Sequence, residues 1–124
     1  MTTQTQFNIC IAAGESWDTT VTVRDANGDP VPIDTVDEIR WEMRKGASRD
    51  SLLIASMSLT NGLITRPGGG TDGVLVATLP PATTATFQAL KGGHHDLWIQ
   101  YSTASRERYI VGRIDIQVPV TDWR

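Results

Sequence analysis

Cysteine is all but missing from this chain. Cys10 stands alone among 124 residues, so no internal disulfide can form and no cysteine-rich metal framework exists. Long apolar runs are missing as well, and none has the length of a membrane-spanning helix. The N-terminal Met1-Thr2-Thr3-Gln4-Thr5-Gln6 carries neither the basic nor the apolar region of a signal peptide. That pattern implies a protein kept in the cytoplasm where it is made, or carried out as part of something larger. Positive charge is also scarce: 11 Lys and Arg face 14 Asp and Glu, for a net charge of -3 and a pI near 5.2. Nucleic-acid binding, which calls for a basic stripe, is disfavoured. The basic residues Arg40, Arg44, Lys45, Arg49, Arg106, Arg108 and Arg113 are spread along the sequence. What remains is ordinary globular composition, 40% hydrophobic and 20% charged, in a length that suits one domain over residues 1–124.

Alternation with period two dominates the chain, most clearly over residues 92–118. Leu97, Ile99 and Tyr101 share one face against Asp96, Trp98 and Gln100. In the following run Ile110, Gly112, Ile114, Ile116 and Val118 oppose Val111, Arg113, Asp115 and Gln117. β-Branched and aromatic residues in this pattern predict two half-buried strands, and the short polar stretch between them predicts an antiparallel hairpin. Earlier segments follow the same grammar. Phe7, Ile9 and Ile11 alternate with Cys10; Trp17, Thr19, Val21 and Val23 line a second strand; Ile39, Trp41 and Met43 face away from Arg40, Glu42 and Arg44. Residues 52–59 read as a buried strand, and Leu75, Ala77 and Leu79 form the inner face of another.

Turn chemistry separates these runs. Asp25-Ala26-Asn27-Gly28-Asp29-Pro30 predicts a tight turn, with Asn-Gly supplying positive φ angles. Pro67-Gly68-Gly69-Gly70-Thr71-Asp72-Gly73 predicts a flexible hairpin tip. Pro80-Pro81 opens one short helix, expected near 81–90 and stopped by Gly92-Gly93. Residues 1–6 and 119–124 are expected to be tails. Seven to eight short strands with frequent turns and one helix predict an all-β antiparallel β-sandwich.

Residues able to carry chemistry are few. His94-His95-Asp96 is the one cluster of suitable types, but adjacent residues of a strand point to opposite faces and cannot easily share an ion. Asp25-x-Asn27-x-Asp29 begins like a calcium loop, yet Pro30 and Val36 occupy the positions that need glycine and glutamate. Cys10, without a histidine or basic neighbour in sequence, is expected to be a buried, inert thiol. No serine stands in a Gly-x-Ser-x-Gly context, and the glycines after Pro67 lack the Gly-Lys-Ser/Thr of a phosphate cradle. No catalytic residue, metal or cofactor is expected. Four tryptophans direct attention to binding instead: Trp17 and Trp41 read as core, whereas Trp98 and Trp123 are candidate interface anchors. Asn27, Gly28 and Gly69, at the tips of the two loops, are the other candidate contacts.

Several stretches together carry a resemblance. They are Gly14-Glu15-Ser16-Trp17, then 25–31, then Met43-Arg44-Lys45, then Gly73 with Leu79-Pro80-Pro81-Ala82-Thr83-Thr84-Ala85, and finally Asp96-Leu97-Trp98-Ile99 with residues 109–116. In this arrangement the chain resembles small virion proteins of tailed bacteriophages, whose immunoglobulin-like sandwich is similar to the N-terminal domain of baseplate upper proteins. The resemblance implies a non-enzymatic adaptor in tail, baseplate or head–tail junction. Such a protein docks fibres, spikes, neighbouring virion proteins or copies of itself, with no membrane, nucleic acid or small-molecule substrate. Trp98 and His94-His95 depart from the family pattern. The alternative is a carbohydrate- or receptor-binding module using Trp98, and a small hydrolase would need His94 or His95 beside an acid or nucleophile.

Overall fold

The computed structural model describes residues 5–120, and Trp123 lies outside them. Nine strands run through the described residues. β1 (Thr5–Gln6), β2 (Ile9–Ala12), β4 (Glu38–Arg44), β5 (Leu53–Ser58), β8 (Leu90–Ser102) and β9 (Ser105–Gln117) form one sheet. β3 (Trp17–Thr22), β6 (Ile64–Thr65) and β7 (Val74–Leu79) form the other. The large sheet runs β1-β9-β8-β4-β5, with β2 also on β9, and the small sheet runs β3-β7-β6. In chain order this is the immunoglobulin plan: three successive strands after the first pass from sheet to sheet, and the last two close the large sheet as a hairpin. The chain is an immunoglobulin-like β-sandwich.

Most residues expected to face inward do so, whereas Phe7 and Val118, grouped by alternation with inward residues, are exposed. Ile39, Trp41 and Met43 of β4, Leu97 and Ile99 of β8, and Leu75, Ala77 and Leu79 of β7 are fully buried. They pack between the sheets with Ile11, Val23, Ile33, Met57, Ile64 and Ile114. Antibody domains place a tryptophan at the position of Trp41, against a disulfide that joins the two sheets. Here Trp41 instead meets Trp17 of β3 edge-on, ring centroids 5.7 Å apart, and the His95 ring of β8 at 5.8 Å. A chain with a single cysteine thus fills the centre with rings. Tyr109 of β9 adds a polar tie between the sheets: its hydroxyl donates to the Thr22 carbonyl at 3.1 Å and accepts from the Arg24 amide at 3.0 Å.

Several expectations need correction. The antiparallel rule breaks at the N-terminus, where β1 and β2 pair parallel with β9, Thr5 opposite Ile110 and Ile9 opposite Ile114. Thr5 and Gln6, expected in a tail, are therefore a strand. The helix shrinks to one turn, α1 (Pro81–Thr84). Its Thr84 hydroxyl donates to the Glu15 carbonyl at 2.6 Å and accepts from the Gly14 amide, and Phe87 is drawn into the core. Side-chain burial at Phe87 ends the helix well before the glycines. Gly92 and Gly93 lie inside β8 at a register shift, with Gly92 at φ 75° and its N–H donating to the Asp115 carboxylate at 2.8 Å.

Residues 52–59 are half-buried rather than buried, because β5 is an edge strand: Ala55 and Met57 face in while Leu52 and Leu53 are exposed. Cys10 is exposed, on the outward side of β2. In the 25–30 turn only Gly28 has positive φ, and the Asp25 carboxylate shapes the rest by accepting from the Asn27 and Asp29 amides. The 67–73 segment is not a free tip. Gly70 and Gly73 are buried at backbone crossings, where a Cβ on Gly73 would stand 2.7 Å from the Val31 carbonyl oxygen.

Candidate binding face

Outward residues of β4, β8 and β9 fall into rows because the strands pair in a fixed register. Arg44, His94 and Arg113 form one row; Glu42, Asp96 and Val111 the next. Arg40, Trp98 and Arg108 form the third, and Glu38, Gln100 and Arg106 the last. A bulge in β9 opposite Leu97 lets Arg108 and Val111 face the same way, since Trp98 pairs with Arg108 while Leu97 pairs with Ile110. The four rows line an open concavity of about 830 Å³, extended by residues 46–49 of the β4–β5 loop. Trp98 is 41% exposed within it.

Local bonds hold the polar side chains in place. The Arg44 guanidinium bridges to Glu42 at 2.9 Å and donates to the Ser51 carbonyl at 2.8 Å. Arg106 donates to the Gln100 side chain at 3.2 Å. Glu38 turns toward the β5–β6 turn, accepting from the Thr60 hydroxyl, the Leu59 amide and its neighbour Ile39. Partial burial pushes its pKa up, but these donors outweigh it and hold the carboxyl below its ordinary value. The arginines that look scattered in the sequence are thus gathered in space: six of them line this face.

The histidine pair separates as alternation requires. His94 is exposed on the face, whereas His95 points inward and is buried. The indole N–H of Trp41 donates to His95 Nδ1 at 3.0 Å, which leaves the ring proton on Nε2 to donate to the Phe7 carbonyl at 2.6 Å. Burial lowers the His95 pKa, against opposing contributions from the Phe7 carbonyl and Asp96 and with a small one from His94. Both ring nitrogens are engaged in holding the fold. Among the described residues no group of three or more His, Cys, Asp or Glu is arranged to hold a metal.

The sequence-level candidates divide between two places. Trp98 sits at the centre of the face, while Asn27, Gly28 and Gly69 are exposed in loops whose bases are stitched together. Val23 N–H donates to Gly73 at 2.8 Å and Ile33 N–H to Gly70 at 2.9 Å, outside the concavity. Arg40, Arg108, Arg113 and Asp96 are face residues that reading single strands did not single out. The outward half of each alternating run contained them, but only the strand order makes them neighbours.

No protein-family profile matches the chain, and no curated protein matches it. Among solved structures, it is similar to the immunoglobulin-like domain of mouse leukocyte-associated immunoglobulin-like receptor 1, crystallised as a strand-swapped dimer. Identity is 14% and the TM-score 0.48, over 88% of this chain and 86% of that one. It is also similar to a chicken TCR, with 11% identity and a TM-score of 0.49, over 95% of this chain and 57% of that one.

Proposed function

We propose that the chain is a non-catalytic binding module that holds a partner on the outer face of its large sheet. We place it as an adaptor in the particle of a tailed bacteriophage, present in several copies beside other virion proteins. The observation that carries the binding role is Trp98, an indole left 41% exposed in mid-strand within an open concavity. Leaving that surface in water forgoes burial that an inward position would provide, and rigid aromatics of this kind anchor interfaces. The virion setting is supported by the resemblance of the turn and strand sequences to phage particle proteins. Catalysis at the histidines has no support, since His95 is committed to Trp41 and Phe7 and His94 lies on the opposite side of the sheet. A tagged copy, imaged by negative stain on purified particles of the phage that encodes it, should label one tail, baseplate or head–tail position repeatedly. A chain abundant in the lysate but absent from particles overturns the adaptor role.

The placement of Trp98 also favours a second role, a carbohydrate- or receptor-binding module, because sugar stacking needs an aromatic ring in an accessible groove. Trp98→Ala separates the two. An adaptor docked through this face fails to join the particle, whereas a glycan binder is incorporated normally and loses its ligand.

A further inference from the structure

We infer that the outer face of the large sheet takes an acidic oligosaccharide, with sugar carboxylates held by its arginines and a ring stacked on Trp98. This rests on the second of the roles proposed above and specifies its ligand. Arg40, Arg44, Arg49, Arg106, Arg108 and Arg113 line the concavity together with three carboxylates, Glu38, Glu42 and Asp96, an excess of three positive charges. The rest of the chain is left with five basic and eleven acidic residues. A protein of net charge -3 therefore presents one locally positive face, and a concave surface of one sign concentrates ligands of the other. All six cations are arginine, whose planar fork pairs with carboxylates in two parallel hydrogen bonds.

The lining separates ligand classes. Apart from glycine, its only apolar side chains are Ala47, Trp98 and Val111, so most of what a ligand meets here is charged or polar. The interleaved carboxylates oppose a nucleic-acid backbone, which carries a charge at every phosphate. A sugar chain suits the same pattern: its hydroxyls donate to Asp96 and Glu42, its sparser acid groups meet guanidinium, and the C–H face of a ring covers the indole. The concavity of about 830 Å³ lies in the range of small-ligand sites, roughly 300–1,000 Å³.

Calorimetric titration tests this with five probes: α2,8-linked oligosialate, oligogalacturonate, a neutral dextran oligosaccharide, oligoglutamate and a single-stranded oligonucleotide. At least one acidic saccharide should bind and weaken with added salt. Trp98→Ala and Arg40→Gln should each reduce its affinity about tenfold or more, on folds that melt as the parent does. Failure of both acidic saccharides, indifference to Trp98→Ala, or equal binding of oligoglutamate, oligonucleotide or dextran overturns the inference. Trp98-dependent binding of oligoglutamate alone removes the sugar and leaves the face as a protein-docking surface. If no probe binds and Trp98→Ala also leaves particle incorporation unchanged, the binding role of the face falls with it.

Discussion

Trp41 and His95 are joined by one buried hydrogen bond, indole Nε1 to imidazole Nδ1 at 3.0 Å, and that bond decides the state of the histidine. Nδ1 must be an acceptor, so the ring is neutral with its proton on Nε2, aimed at the Phe7 carbonyl. The consequence reaches the N-terminal strand. Phe7 lies opposite Gly112 between the β1 and β2 pairings, and its amide makes the expected parallel ladder bond to Val111 at 2.8 Å. Its carbonyl has turned inward to His95, and the Arg113 amide that this carbonyl would have accepted is taken by the Asn8 side chain at 3.2 Å. A β4 tryptophan thereby helps hold the edge of the sheet through a β8 histidine.

Replacing His95 with leucine leaves the Trp41 N–H and the Phe7 carbonyl without partners in the interior. Each stranded group costs about 1–3 kcal/mol, so a loss of roughly 2–6 kcal/mol is expected in urea denaturation. A loss under about 0.5 kcal/mol, the range of neutral surface changes, would show that the bonds do not matter.

The same histidine makes stability depend on pH. Burial holds its folded-state pKa below the unfolded value of about 6.5, so below that pH the unfolded chain takes up the proton first. Stability is full above this value and declines as pH falls toward the folded-state pKa. Glu38 adds a lower window: its folded-state pKa is depressed, so its contribution holds above the ordinary carboxylate range and is lost as pH falls through it. Denaturation midpoints between pH 7.5 and 3 should show both declines, with His95→Gln flattening the upper one and Glu38→Gln the lower. An unchanged upper slope in His95→Gln would assign that decline to other groups.

Gly112 is where the N-terminal segment crosses β9. A Cβ there would clash with the Phe7 carbonyl oxygen and stand 2.8 Å from His95 Nε2. Gly112→Ala should push residues 5–8 off the sheet, costing about 1–3 kcal/mol. Hydrogen exchange should speed up at the Phe7 amide while the Trp41 region stays protected, and equal protection in the two proteins would argue against this crossing.

Tyr109 ties β9 to the end of β3 through one hydroxyl with two backbone partners. Tyr109→Phe keeps the ring packing and strands the Arg24 amide and the Thr22 carbonyl. A loss of about 1–2 kcal/mol in thermal or chemical unfolding is expected. A variant as stable as its parent would indicate that water replaces both bonds.

Residue order alone announced much of the architecture. Alternation in β4, β7, β8 and β9 marked inner from outer residues, because a half-buried strand writes its two environments directly into every second position. The hairpin of β8 and β9 was visible for that reason, though both arms run closer to the Thr103-Ala104 turn than the apolar residues suggest. The helix falls short of residue 90 because Thr83, Thr84 and Thr86 are weak helix formers, a local signal that the absence of glycine and proline masks, and because the demand of the core for Phe87 is not a local property. The parallel pairing of the N-terminal strands was hidden likewise, since a two- to four-residue strand looks the same whichever neighbour it joins.

By itself the sequence determined that this is an all-β chain, that Trp98 faces out and Trp41 in, and that the two histidines part company, all consequences of period two. Tertiary structure alone decided that arginines from β4, β9 and the β4–β5 loop share one concave face, and that His95 bonds to residues far from it in the chain. The physical reason is that strand order and register depend on how two sheets cover one another. Charges far apart in sequence become neighbours only once that packing is settled.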